Sequence, residues 1–299
     1  MTNSHKSVVF ALTTIVCWST VASAFKMALS YSSISQTLFI ATLTSFIVFG
    51  LLAAYNGFRS VFKQTFKELL LSAVMGFLNP FCYYLILFNA YKLLPAQVAQ
   101  PLNQIWPLVL AILAVPILKQ KLPKKTALCL TICFAGVALI SSQGKLSVFE
   151  SSNPLGVGLA LSSSIIWSVY WLMNVKDKRN VPLKLFTNFG FSLIYIIILA
   201  NFIPDFSHFN TKGILCGVYI GLFEMGISFL LWLKALEYAK SAAKVGLLVY
   251  LVPFLSLFFI HFIVGEDIKL TTVAGIILIV VGILLQEWHN IFNKNLNRE

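Results

Sequence analysis

Acidic side chains are scarce in this chain. Asp and Glu number 10 among 299 residues, against 22 Lys and Arg. All charged residues together make up 11%, where soluble domains carry about 25%. A soluble domain of this size could bury a core, but it would need far more charge to cover its outside. Three catalytic patterns are also missing: HExxH, GxSxG and the Walker A loop, whose spacings place a metal, a nucleophile or a phosphate. Nor is there a motif of paired carboxylates. An enzyme is therefore not expected, and neither is an ATP site, a metal or a cofactor. Cysteine is sparse as well. Cys17, Cys82, Cys129, Cys133 and Cys216 are odd in number and all lie in apolar runs, with no disulfide framework or zinc spacing. Cys129 and Cys133 share a helix face and read as small packing residues.

What the sequence does hold is apolar: 59% of its residues are hydrophobic. Runs of about 20 residues, enough to span a bilayer, recur along its whole length. They fall at about 8–28, 35–55, 69–91, 97–118, 124–142, 155–175, 184–203, 212–236, 241–263 and 270–288, with boundaries uncertain by a few residues. The expectation is an all-α, polytopic membrane protein with ten transmembrane helices and linkers too short for a soluble domain. "VASAF" (Val21 to Phe25) has the look of an A-x-A cleavage site. Against a signal peptide, the first run has a partner later in the chain.

The net charge of +12 does not point to nucleic acid, because the basic residues sit in short loops. With the N-terminus in the cytoplasm, 16 of the 22 Lys and Arg fall on the inner side and five on the outer, Lys234 lying within a run. That is the positive-inside bias. Both termini are expected in the cytoplasm and the protein in the cell (inner) membrane, multi-pass.

The runs repeat. "ALTTIVCWS" (Ala11 to Ser19) aligns with "ALSSSIIWS" (Ala160 to Ser168), 149 positions on, and Trp18 falls on Trp167. Gly76 and Ala90 fall on Gly221 and Ala235 at 145, and Pro107 and Gly136 on Pro253 and Gly282 at 146. Five runs per half is an odd number, so the halves, residues 1–148 and 149–299, would enter the membrane in opposite directions. Two inverted five-helix repeats are a hallmark of secondary transporters, with the site near the midplane between them.

The second half, "FLLWLKALEYAKSAAKVGLLVYLVPFLSLFFIHFIVGEDIKLTTVAGIILIVVGILL", resembles the repeat of the EamA family of the drug/metabolite transporter superfamily. Ala235, Pro253, Gly265, Glu266, Gly275 and Gly282 stand in the family's places. The first half fits at Ala90, Pro107 and Gly136 and departs at Lys119-Gln120, where the family has Gly-Glu. "IVCWST" and "NQIWP" are similar to the aromatic amino acid exporters of that superfamily. The resemblance implies a proton-linked or facilitative carrier for small metabolites, often an exporter, with no ATP site. The expected function is secondary transport, probable export included, of small metabolites such as amino acids by alternating access. The alternatives are a facilitative permease, an uptake carrier for a nucleoside-like compound, amine or drug, and a non-transporting membrane protein. The expected partners are a small-molecule substrate, the lipid bilayer and, as a candidate, protons.

Polar residues within apolar runs mark the candidate site. Gln97, Gln100 and Gln104 recur at spacings of three and four, which places them on one helix face, and Pro101 and Pro107 release carbonyls beside them. Such groups at membrane depth line a water-filled cavity or hydrogen-bond between helices. The first reading makes them a substrate path and the second makes them packing. Glu224 is the only carboxylate near the middle of any run. A charge there costs about 2.5–3.5 kcal/mol on insertion scales, so it reads as a proton- or amine-binding group, or as a protonated or paired structural acid. Its counterpart 145 positions earlier is Asn79. Trp18, Trp167 and Tyr250, the last opposite Gln104, complete the substrate-binding candidates, with core packing or interface anchoring as the alternative for each. Gly213, Gly217 and Gly221, spaced by four, are expected to let one helix pack closely on another.

Overall fold

The computed structural model describes residues 3–55, 63–93, 102–142, 153–202, 206, 209–252, 255–256, 259, 270–271, 273–275, 277–282 and 284–285. Among these residues every regular element is a helix and none is a strand. In chain order they are α1 (Asn3–Tyr31), α2 (Ile34–Tyr55), α3 (Phe66–Gly76), α4 (Tyr83–Leu93), α5 (Trp106–Leu118) and α6 (Lys124–Ser142). There follow α7 (Pro154–Lys176), α8 (Val181–Ala200), α9 (Thr211–Ile220), α10 (Ile227–Tyr238), α11 (Ala242–Leu248) and α12 (Val273–Gly282).

Six helical segments are long and apolar enough to cross a membrane: Asn3–Tyr31, Ile34–Tyr55, Phe66–Ala90, Pro154–Lys176, Val181–Ala200 and Thr211–Tyr238. The other four expected runs contain α5, α6, α11 and α12, which are shorter, less apolar or partly outside the described residues. Start signals are local. Thr65 and Glu68 cap each other at the head of α3, the Glu68 carboxylate accepting from the Thr65 N–H at 2.7 Å. Asn153 accepts from Leu155 and Gly156 at the head of α7, where Pro154 occupies the first turn and forfeits no needed donor.

Helices from the two halves interleave. α2 lies along α8, with Phe46 stacked on Phe186 at 4.5 Å and Phe49 edge-on to Phe189 at 5.1 Å. α1 packs on α10, where the Ser7 hydroxyl donates to the Ala235 carbonyl at 2.7 Å. α7 packs on α4, with Ala90 and Ala160 both fully buried. The helix pairs correspond under the repeat offsets, and Ala90 and Ala235 are matching positions in them.

Two long segments are interrupted by π-helical turns at Phe77–Cys82 and Gly221–Gly226, 144 positions apart. The first follows Gly76 and the second begins at Gly221, and each glycine lets a neighbouring backbone approach. A Cβ on Gly76 would collide with the backbone of Asn188 and Ser192 in α8, and one on Gly221 would lie 2.6 Å from the Ala41 carbonyl of α2. The stripe Gly213, Gly217 and Gly221 thus faces Ser32, Ile40 and Ala41. A second pair of breaks lies at residues 104–105 and 249–250, where turns replace helix. In the first, Pro107 sits in the opening turn of α5, so this proline starts a helix instead of bending one.

Candidate functional site

The breaks carry the polar residues. Glu224 lies in the second π turn, and the bonds freed by that turn are met by side chains. The Gly221 carbonyl accepts from Ser45 at 2.7 Å, the Phe223 carbonyl accepts from Ser228, and the Glu224 carbonyl accepts from the Trp18 indole at 3.2 Å. A buried carbonyl without a donor would be costly, so this irregular turn is a supported one. The Glu224 carboxylate is half-buried and accepts from the Tyr84 hydroxyl at 2.9 Å. Tyr84 is the second residue of α4, which begins directly after the first π turn. One hydrogen bond therefore joins the interruptions of the two halves.

Around this bond sits an aromatic cluster. The Trp18 ring lies 5.4 Å from Trp232, 5.9 Å from Trp167 and 6.2 Å from Trp106. Trp106 is 5.6 Å from Trp232 and 6.1 Å from Trp167, and Tyr83 lies 4.4 Å from Trp167. These tilted and edge-on pairs follow the ring quadrupoles, each worth about 0.5–1.5 kcal/mol beyond area burial. The indole N–H groups of Trp167 and Trp232 are buried without a hydrogen-bond acceptor among the described residues. Asn103 donates to Ser163 at 2.9 Å and accepts from Tyr83 at 3.5 Å. The Trp106 carbonyl accepts from Ser168 at 2.9 Å. The "NQIWP" string is thus tied to α7 and α4.

Of the expected site residues, Trp18, Trp167 and Glu224 come together here. Asn79 lies in the first π turn, in an extended backbone conformation (φ −155°, ψ 129°), fully buried, with neither side-chain polar atom hydrogen-bonded. Gln104 is buried and its amide nitrogen has no acceptor. Of the glutamines expected on one helix face, Gln104 stands in a turn ahead of α5, while Gln97 and Gln100 lie outside the described residues, as do Pro101 and Pro253. Tyr250 also stands in a turn, but it is buried in a separate cluster with Ala111, Cys129, Cys133 and Ile279, away from the four tryptophans. Tyr83, Tyr84, Asn103, Trp106 and Trp232 were not among the expected substrate-binding residues. A signal for the tryptophans existed: interface anchors sit at the ends of spans, and Trp106 falls near the middle of its run.

The end of the bundle where α3 begins and α7 ends is closed by paired charges. The Arg179 guanidinium holds Asp177 at 2.6 Å and reaches across to Gln64 at 2.7 Å, the Glu68 carbonyl at 3.1 Å and Ser72 at 3.0 Å. Burial works to raise the Asp177 carboxyl, but hydrogen bonds and charge from Arg179, aided by Lys184, hold it below the ordinary carboxylate value. Lys184, counted from sequence as an inner-side loop charge, is in fact fully buried within α8. It donates to the carbonyls of Asn174 at 2.6 Å and Asp177 at 2.8 Å and pairs with Glu237 at 3.1 Å. Lys234 pairs with Glu237 at 3.3 Å and not with Glu224.

A model of the EamA-like transporter family matches residues 5–142 and again residues 154–286. An uncharacterized transporter of Clostridium kluyveri is 26% identical over 56% of this chain and 56% of its own length, so the chain spans about half of that relative. The uncharacterized transporter YyaM of Bacillus subtilis is 25% identical over 79% of this chain and 81% of its own. A crystal structure of a protein 21% identical superimposes with a TM-score of 0.78 over 94% of this chain and 96% of that one. At that identity the likeness is one of fold.

Proposed function

Because the chain belongs to the EamA-like transporter family, a multi-pass membrane protein of a transporter family, we propose that it is a secondary carrier working by alternating access. Its cargo would be small metabolites, amino acids or amines, moved outward across the cytoplasmic (inner) membrane, with protons as a candidate coupling ion. On this reading the ten runs form two inverted five-helix halves, residues 1–148 and 149–299, with both termini cytoplasmic. The observation that carries it is the Tyr84–Glu224 hydrogen bond at 2.9 Å. It joins two broken helices from different halves inside an aromatic centre. Discontinuous helices meeting between repeats are where carriers bind cargo, and π turns recur at functional sites. Trp18, Trp167, Glu224 and Tyr84 would form the binding surface, with Asn79 and Gln104 contributing from the other breaks.

Reconstituted protein should give saturable flux that is accelerated by substrate on the opposite face. Single-channel conductance, or flux that never saturates, would refute a carrier.

A further inference from the structure

The charge balance around Glu224 has a consequence for the cargo. No described Lys, Arg or His pairs with this carboxylate. Lys184 and Lys234 are committed to Glu237 at 3.1 and 3.3 Å, and Arg179 to Asp177 at 2.6 Å. Its described side-chain donor is the Tyr84 hydroxyl on Oε1, and Oε2 has no hydrogen-bond partner among the described residues. Glu224 is half-buried as a residue. Aromatic rings crowd this centre: Tyr84 bonds the carboxylate, and Tyr83, Trp167 and Trp18 follow ring to ring at 4.8, 4.4 and 5.9 Å. Ring faces attract cations, more strongly when water is excluded. A cargo anion would set a second negative charge beside Glu224 with no described cation to offset it.

We propose that the Glu224 site takes an organic cation, a protonated or quaternary amine on an apolar body the size of one or two rings. The ammonium group sits against the carboxylate and the Tyr84 hydroxyl oxygen, and the body lies against the tryptophan faces. This inference rests on the reading of the centre as the cargo site.

The test uses the full chain in detergent and four probes sharing one benzene ring: 2-phenylethylamine, its trimethylammonium analogue, phenylalanine and phenylacetate. Binding is read from the fluorescence of the tryptophan cluster and from the melting temperature, since a ligand of the folded state raises it. Both amines should bind, at least tenfold more tightly than phenylacetate and phenylalanine. Glu224→Gln should weaken the amines at least tenfold, and Glu224→Asp should keep their preference if the Gln variant fails to fold. Tighter binding of phenylalanine or phenylacetate, no binding of either amine, or amine affinity untouched by Glu224→Gln would each overturn the inference. Saturable counterflow of phenylalanine in the same protein would overturn the cation class yet leave the carrier standing. Absence of counterflow with any metabolite tried would strike the carrier reading itself.

Discussion

The two π turns occupy corresponding places and differ in chemistry. At Phe77–Cys82 a proline makes the break, and Asn79 is buried with both amide atoms unpaired. At Gly221–Gly226 two glycines bound the break, three freed carbonyls are bonded by Ser45, Ser228 and Trp18, and the side chain presented is an acid. The backbone device is common to both halves, whereas the charge belongs to one. A duplicated scaffold can therefore keep its symmetry in packing and lose it in the residues that meet cargo. Gly76 on α8 and Gly221 on α2 show the shared part; Asn79 and Glu224 show the part that has diverged.

The strongest way to break this comparison is through the shared part. Gly76→Ala and Gly221→Ala each force a Cβ into a facing backbone. Each should lower stability by about 1–3 kcal/mol, the cost of overpacking, seen as a fall in melting temperature of purified protein. Tolerance of one and not the other would mean that the two close approaches are not equivalent.

The next largest effect sharpens the divergence. Glu224→Gln should cut saturable flux in proteoliposomes about tenfold, or about 1.4 kcal/mol, and flatten its dependence on pH. Asn79→Ala should change flux less than about threefold while leaving its pH profile intact. Equal losses in the two variants would make the turns functionally equivalent and return Glu224 to a packing role.

The smallest effect lies away from both turns. Asp177 is held below its ordinary value, so its ionised form supports folding above the unfolded-state value of about 3.9. That support is lost as pH falls from there through the lower folded value. Melting temperature should decline slightly below about pH 4 in wild type, and the decline should be smaller in Asp177→Asn. A decline unchanged in the variant would assign the acid sensitivity elsewhere.

Six of the ten expected runs coincide with helices long and apolar enough to cross a membrane, since bilayer-length apolar runs are set by composition. Sequence also drew attention to Glu224 as a lone acid in such a run, read there as a transport group or a structural acid, and the structure places it in the second π turn. The offset between halves brought Trp18 and Trp167 to matching places, and their rings lie 5.9 Å apart. What it could not give was the partner of the acid. Tyr84 is 140 positions away from Glu224, and neither periodicity nor spacing encodes a contact across two helices. The glutamine stripe illustrates a second limit. Helical spacing has meaning only where the helix is continuous, and Pro107 opens α5 after Gln104 instead of interrupting a helix that contains it. Lys184 illustrates a third: a lysine near a run boundary was read by its sign, and its depth depended on Glu237 and two carbonyls that only tertiary packing supplies.

The charged seal at the Arg179 end carries a kinetic implication for the proposed cycle. Its pairs are shielded from water while closed, with Arg179 and Asp177 side chains only 7% and 6% exposed. Attraction between unit charges at 4 Å falls from about 4 kcal/mol near a protein surface to about 1 kcal/mol in water. The first water to enter thus loosens the very contacts that kept it out, and each broken contact admits more. In the proposed cycle a barrier of this kind would yield abruptly, with little between a dry arrangement and a wet one. The time spent crossing would be short beside the time spent waiting, and dissolved salt, by screening the pairs once wetted, would shorten the wait.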